Sequence, residues 1–151
     1  MDHAGKVALV TGGSRGIGAA TAKLAAQRGW DVAITYVENA SAAGKVVGAI
    51  EAAGRKGIAI KADTGNLDDI TRAFTRVDEV FGRLDAFFNN AGIFGPAVPF
   101  IDIDRARIAR IIAINTTGAM VAAQEAARRM AKARGGRGGS IVHMSSIASK
   151  L

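Results

Sequence analysis

The 151 residues contain no cysteine, which excludes disulfides, thiolate metal sites and cysteine nucleophiles. Histidine is nearly as scarce. His3 and His143 stand far apart, too few for a metal centre, and His143 falls in an apolar stretch where it reads as a packed or surface imidazole. Proline occurs twice, at Pro96 and Pro99, and aromatic residues make up 5% of the chain, so a turn-rich all-β sandwich is disfavoured against a parallel α/β fold. No stretch reaches the roughly 18 uncharged apolar residues of a membrane span. The opening Met1 to Lys6 leads straight into a strand rather than a leader, and a cytoplasmic protein with no membrane partner is expected. The net charge of +7 raises nucleic acid as a partner, but the cations are scattered except at Arg128-Arg129 and from Lys132 to Arg137. No aromatic residue is interleaved there to stack a base, so the segment reads as a solvated helix end and loop, without nucleic acid.

Small and aliphatic residues fill the space these absences leave, with 19 glycines among them. At this length a domain buries about two thirds of its unfolded surface, and one domain is expected. The organising stretch runs from Lys6 to Ala20, an apolar strand feeding a glycine turn and then an alanine-rich helix. That order suits a phosphate: the strand end fixes the turn, glycines admit close approach, and the helix start offers unpaired amides at the positive end of its dipole. The glycines at 12, 16 and 18 do not form a GxGxxG, and no GxxxxGK[ST] is present to indicate a nucleoside triphosphatase.

Taken in order, Ala19 to Arg28 reads as a helix ending at Gly29, and Asp31 to Val37 as a second strand, completing a βαβ unit and forcing a parallel pair. Asn39 to Ser41 offers a cap for a helix over Ala42 to Ala53, and Lys56 to Ala62 holds a third strand. Asp63, just beyond it, stands where open parallel sheets bind ligands, or else serves as a turn residue opening the next helix. Leu67 to Phe81 carries Ile70, Phe74, Val77 and Phe81 at helical spacing, a core stripe. A fourth strand ends at Asn89-Asn90-Ala91-Gly92, and a proline-bearing loop follows. One helix is expected from Asp104 to Ala133, interrupted by the poor helix formers of Ala113 to Gly118, with Asn115 buried in its apolar face and in need of partners. A glycine-rich connector leads to a fifth strand that ends in Ser145 and Ser146.

Three motifs, Thr11-Gly12-x-x-x-Gly16-x-Gly18, Asn89-Asn90-Ala91-Gly92 and Gly139-Ser140-Ile141-Val142-x-x-Ser145-Ser146, fall in the order seen in the short-chain dehydrogenase/reductase family. The chain resembles the amino-terminal portion of that family, of the kind found in 3-oxoacyl-ACP reductases and glucose dehydrogenases. The resemblance implies a Rossmann-like, doubly wound parallel sheet of strand order 3-2-1-4-5. It also implies hydride transfer between a nicotinamide cofactor and an alcohol or ketone. Gly12, Ser14, Arg15, Gly16, Ile17 and Gly18 would form the phosphate turn, while Asp63 and Thr64 would lie beside the adenine. Asn90 would fix neighbouring peptide groups, and Ala91 and Gly92 would let a ribose lie against the main chain. Tyr36 stands where an acidic residue would select NADH, and Arg15 is placed to meet a 2′-phosphate, so NADP(H) is favoured. Glu38, two residues on, keeps NAD(H) open. Asn115 would hold a water in a proton relay, its rival role being a locally bonded residue that shapes a kink. Ser146 would orient the substrate carbonyl; without the resemblance it is an ordinary turn serine. No metal site is expected.

The family's proton donor lies in a Tyr-x-x-x-Lys motif about a dozen residues beyond that serine, and the 151 residues do not contain it. Tyr36 is the single tyrosine, and Val37 to Ala40 follow it. The chain therefore corresponds to about the first three fifths of a typical member, an incomplete Rossmann domain. Alone it is expected to be inactive and to expose its fifth strand as an apolar edge, inviting dye binding or aggregation. A complete member would be a dimer or tetramer. Two other readings stand beside the enzyme: a cofactor-binding module without turnover, acting as sensor or partner subunit, and a structural or nucleic-acid protein using the basic segment.

Overall fold

A computed structural model describes residues 5–146; His3 and the last five residues, 147–151, lie outside it. Five parallel strands form one sheet in the order β3-β2-β1-β4-β5. They are β1 (Val7–Val10), β2 (Asp31–Tyr36), β3 (Gly57–Lys61), β4 (Ala86–Asn89) and β5 (Ser140–His143). The helices between them are α1 (Gly16–Gln27), α2 (Ala40–Ala52), α3 (Leu67–Phe81), α4 (Arg105–Ile112) and α5 (Ala119–Met130). The register pairs Leu9 with Ala33 on one side and Phe87 on the other.

Side-chain alternation along the central strands makes two cores. Val7, Leu9, Ala33 and Phe87 point to the face covered by α3 and α5, meeting Ile70, Phe74, Val77, Ala122, Ala126 and Met130. Phe74 and Phe87 meet edge to face at 5.4 Å, a geometry that adds about 0.5–1.5 kcal/mol to their burial. Val10, Val32 and Ile34 point the other way, onto the alanines of α1 and onto Val46 and Ile50 of α2. Alanine is the fitting residue in α1 because it brings the helix axis close to the sheet, and so brings the helix start close to the end of β1.

Most expected boundaries hold to within two residues, and α3 holds to the residue. The long helix is corrected. α4 and α5 are joined by a π-helical turn, Ala113–Gly118, and the helix ends at Met130, three residues early. Lys132–Arg134 forms a separate 3-10 turn. Asn115 is exposed rather than buried, because the wider turn rotates it away from the sheet, while Ile114 and Gly118 take the buried positions. Gly118 makes the turn fit: a Cβ there would stand 1.9 Å from the Thr64 carbonyl oxygen. β5 is the edge strand and is largely exposed, with Val142 55% accessible. No helix among the described residues is long and apolar enough to cross a membrane.

Candidate cofactor site

The carboxyl ends of β1, β2 and β4 meet at the glycine turn that leads into α1. Thr11 leaves β1 buried, and its hydroxyl oxygen accepts the amides of Asn90 (2.9 Å) and Ala91 (3.1 Å). Asn90 returns the bond, its Nδ2 donating to the Thr11 carbonyl at 2.9 Å and to that of Gly12 at 3.4 Å. Thr35 completes the brace: its hydroxyl oxygen accepts the Gly12 amide, and its carbonyl accepts the Gly13 amide. Three strand ends are thus locked to the glycine turn through two threonines and an asparagine.

Within the turn, Gly12 and Gly16 have φ of +64° and +53°, the left-handed region open to glycine at little cost. Gly18 is needed for a different reason. A Cβ there would sit 2.5 Å from the Gly12 carbonyl oxygen and 2.7 Å from the Asn90 amide nitrogen, so α1 could not start so close to β1. Gly13 is equally confined, against Ile34 at 2.6 Å. Ser14 is half-buried, while Arg15, Gly16 and Ile17 are exposed at the lip.

α2, α3 and α4 are each capped by a side chain, from Asn39, Asn66 and Asp104 respectively. α1 has no side-chain cap and no acidic residue in its first turn. Its leading amides have no intrahelical partners, and the positive end of its dipole faces the exposed lip. The glycine turn therefore forms a cradle for an anion, and the residues present fit a dinucleotide pyrophosphate.

The remaining expected residues lie on other segments of the chain. Tyr36 is half-buried at the end of β2, with Glu38 exposed beyond it. Asp63 makes the turn expected of a local role, its Oδ1 accepting the Gly65 amide at 2.8 Å, and its Oδ2 pairs with Arg110 at 2.5 Å. Its own amide donates to Asp69 Oδ2, and that backbone bond is the main reason the Asp69 carboxyl titrates below its usual range. Thr64 is buried beneath the π turn. Gly92 is exposed beside Asn115, and Asn115 clasps both sides of the Ile93 residue: Oδ1 accepts its amide at 2.9 Å, and Nδ2 donates to its carbonyl at 2.7 Å. Ser146 is exposed past the end of β5.

Several contributors were not picked out as site residues from the sequence. Thr11 was legible only as part of a motif, and Thr35 looked like an ordinary strand residue. Asn89 is buried, its Nδ2 donating to the Ala119 carbonyl at 2.8 Å and lying 3.2 Å from His143 Nδ1. Arg107 donates to the carbonyls of Phe94 (2.8 Å) and Pro96 (2.5 Å), fastening the loop after β4 to α4. Nothing in the spacing of these residues announces contacts between segments this far apart in sequence. Among the described residues no cluster of histidines and carboxylates is placed to hold a metal ion.

A parallel sheet of this order, with a glycine cradle at a helix start, defines a dinucleotide-binding class of α/β protein. The short-chain dehydrogenase family model matches residues 6–151, and the chain belongs to that family. It is 43% identical over 145 residues to the uncharacterized oxidoreductase YgfF of Escherichia coli, covering 96% of this chain and 59% of that protein. It is 41% identical to an L-rhamnose 1-dehydrogenase (NAD(P)(+)) of Sphingomonas, covering 96% and 56%. Among solved structures, a short chain dehydrogenase from Burkholderia cenocepacia in complex with NADP superposes with a TM-score of 0.91 at 46% identity, covering 99% of this chain and 59% of that one. The chain thus spans under three fifths of the length of these relatives.

Proposed function

We propose that the protein is an oxidoreductase that binds NADP(H) and interconverts an alcohol and a ketone, with NAD(H) as the alternative cofactor. The observation that carries this reading is the uncapped start of α1, held against β1 by Gly18 and braced by Thr11, Thr35 and Asn90. In support, the Burkholderia relative and a metagenomic short-chain oxidoreductase, the latter 32% identical with a TM-score of 0.90, were both solved with NADP. Arg15, exposed at the turn, supplies positive charge for a 2′-phosphate, and no acidic side chain ends β2 at Tyr36.

When bound, the nicotinamide supplies or accepts the hydride. The amides from Ser14 to Gly18 would hold the pyrophosphate, and Asp63 and Thr64 would border the adenine. Asn90 keeps the Thr11 and Gly12 carbonyls turned away from the phosphates, while Ala91 and Gly92 leave the main chain bare for a ribose. Ser146 would donate to the carbonyl oxygen as negative charge develops there. Asn115, by spanning Ile93, sets where the loop after β4 passes, and it would hold a relay water there. The full-length protein would work in solution as a homo-oligomer on a small-molecule substrate.

A fluorescence titration of the full-length protein with NADPH and NADH, paired with a turnover assay on a panel of sugars, small ketones and acyl thioesters, tests this. Micromolar NADPH binding with turnover is the expected result. Binding with no turnover on any substrate assigns the protein to cofactor-dependent sensing instead, and no binding of either nucleotide rejects both.

A further inference from the structure

Asp63 is held from three sides. Its amide is fixed by Asp69 and its Oδ1 by the Gly65 amide, both within its own turn. The third hold comes from elsewhere: Arg110, 47 residues on in α4, pairs with Oδ2 at 2.5 Å. The guanidinium lies in the space a side chain at position 65 would fill, since a Cβ on Gly65 would stand 2.3 Å from an Arg110 terminal nitrogen and 2.9 Å from Ile114 Cγ1. The turn thus keeps a bare backbone where the arginine crosses it.

We propose that Arg110 is a positioning residue that acts through Asp63 to set recognition of the cofactor's purine. A carboxylate has about four lone-pair sites. The Gly65 and Arg110 contacts occupy two, leaving two with which Asp63 can accept a further donor at the mouth of the sheet, where ligands of open α/β folds bind. A carboxylate tied down by a guanidinium from another element as well as by its own turn presents those lone pairs in one direction. Without Arg110 the side chain keeps the Gly65 bond alone, and Oδ2 is free to swing into water. The purine that fits a fixed acceptor bears an exocyclic amino group, as adenine does. Hypoxanthine, with a carbonyl oxygen in that place, would meet the carboxylate oxygen to oxygen. This inference rests on the cofactor reading above.

The test is the dissociation constant of the full-length protein for NADPH and for its hypoxanthine counterpart, nicotinamide hypoxanthine dinucleotide phosphate, at low and high salt. The wild type is expected to prefer NADPH. Arg110→Met should weaken NADPH binding about fivefold to tenfold, the scale of one hydrogen bond to a charged acceptor, and leave the hypoxanthine analogue within about twofold. Gly65→Ala, which displaces the guanidinium by another route, should show the same selective loss. Arg110→Lys should recover part of it, and Arg110→Met should add nothing in an Asp63→Ala background. Equal losses for both nucleotides, or none for NADPH, would overturn the role of Arg110 while leaving the cofactor reading intact. A wild type that binds neither nucleotide would overturn both.

Discussion

Gly18 and Gly48 are both helical glycines, yet their surroundings differ completely. At Gly18 the atoms in the way are main chain, the Gly12 carbonyl, and they cannot yield without moving the end of β1. At Gly48, in the middle of α2, a Cβ would meet nothing within 4 Å. Gly18→Ala should therefore destabilise the protein by about 1–3 kcal/mol, whereas Gly48→Ala should stabilise it by about 0.5–1 kcal/mol through backbone entropy. Urea unfolding of the two variants checks this, and a Gly18→Ala protein as stable as wild type would mean that α1 and β1 do not approach as described. At this scale the sequence was informative about glycines because their spacing is rigid. It was uninformative about Thr35 and Arg110, whose partners lie 23 and 47 residues away.

Among the elements, α3 read cleanly because a single polar-apolar stripe determined it, with an asparagine cap at one end and Gly82 in a left-handed conformation at the other. The region after Asp104 read poorly. An apolar stripe that continues through a π turn slips around the helix, so Ile108, Ile112 and Met120 are exposed, while Ala122 and Ala126 pack inward. α5 is tied to α3 by Arg129, which pairs with Asp78 and Glu125 and lies over the Phe74 ring. The hydrogen bond from Arg129 is the chief reason the Glu125 carboxyl titrates below 4.5, with Arg128 adding to it. A carboxyl whose pKa is lower in the folded state stabilises the fold above its unfolded pKa, and the contribution is lost as pH falls through the folded value. Melting temperature should therefore drop between about pH 5 and pH 3 more steeply in wild type than in Glu125→Gln. Parallel acid limbs for the two proteins would show that this pairing carries no stability.

Across the whole molecule, short βα turns made a parallel sheet legible, whereas the strand order and the place of the cradle were legible through the three motifs and the family they resemble. The two sheet faces nevertheless differ in a way composition does not reveal. α3 and α5 cover one face, whereas on the other α1 and α2 leave an open apolar groove of about 360 Å³ along β4 and β5, lined by Trp30, Ala86, Phe88 and Val142 among others. That groove and the exposed β5 are the structural form of the apolar edge expected from the sequence, and they lie away from the lip where Arg15 and Gly16 stand. The glycine turn and the residues that brace it lie within the described residues, so affinity for a dinucleotide tests the proposed site most directly. Gly16 is the position to alter. A side chain there meets nothing within 4 Å, aspartate adopts its positive φ at less cost than most residues, and a carboxylate would sit among the amides proposed to hold phosphate. Calorimetric titration of NADPH into Gly16→Asp should give a dissociation constant at least about tenfold weaker than wild type, while the strain of a side chain at this φ lowers the melting temperature by only about 2–4 °C. Undiminished affinity in that variant would place the pyrophosphate elsewhere and contradict the account.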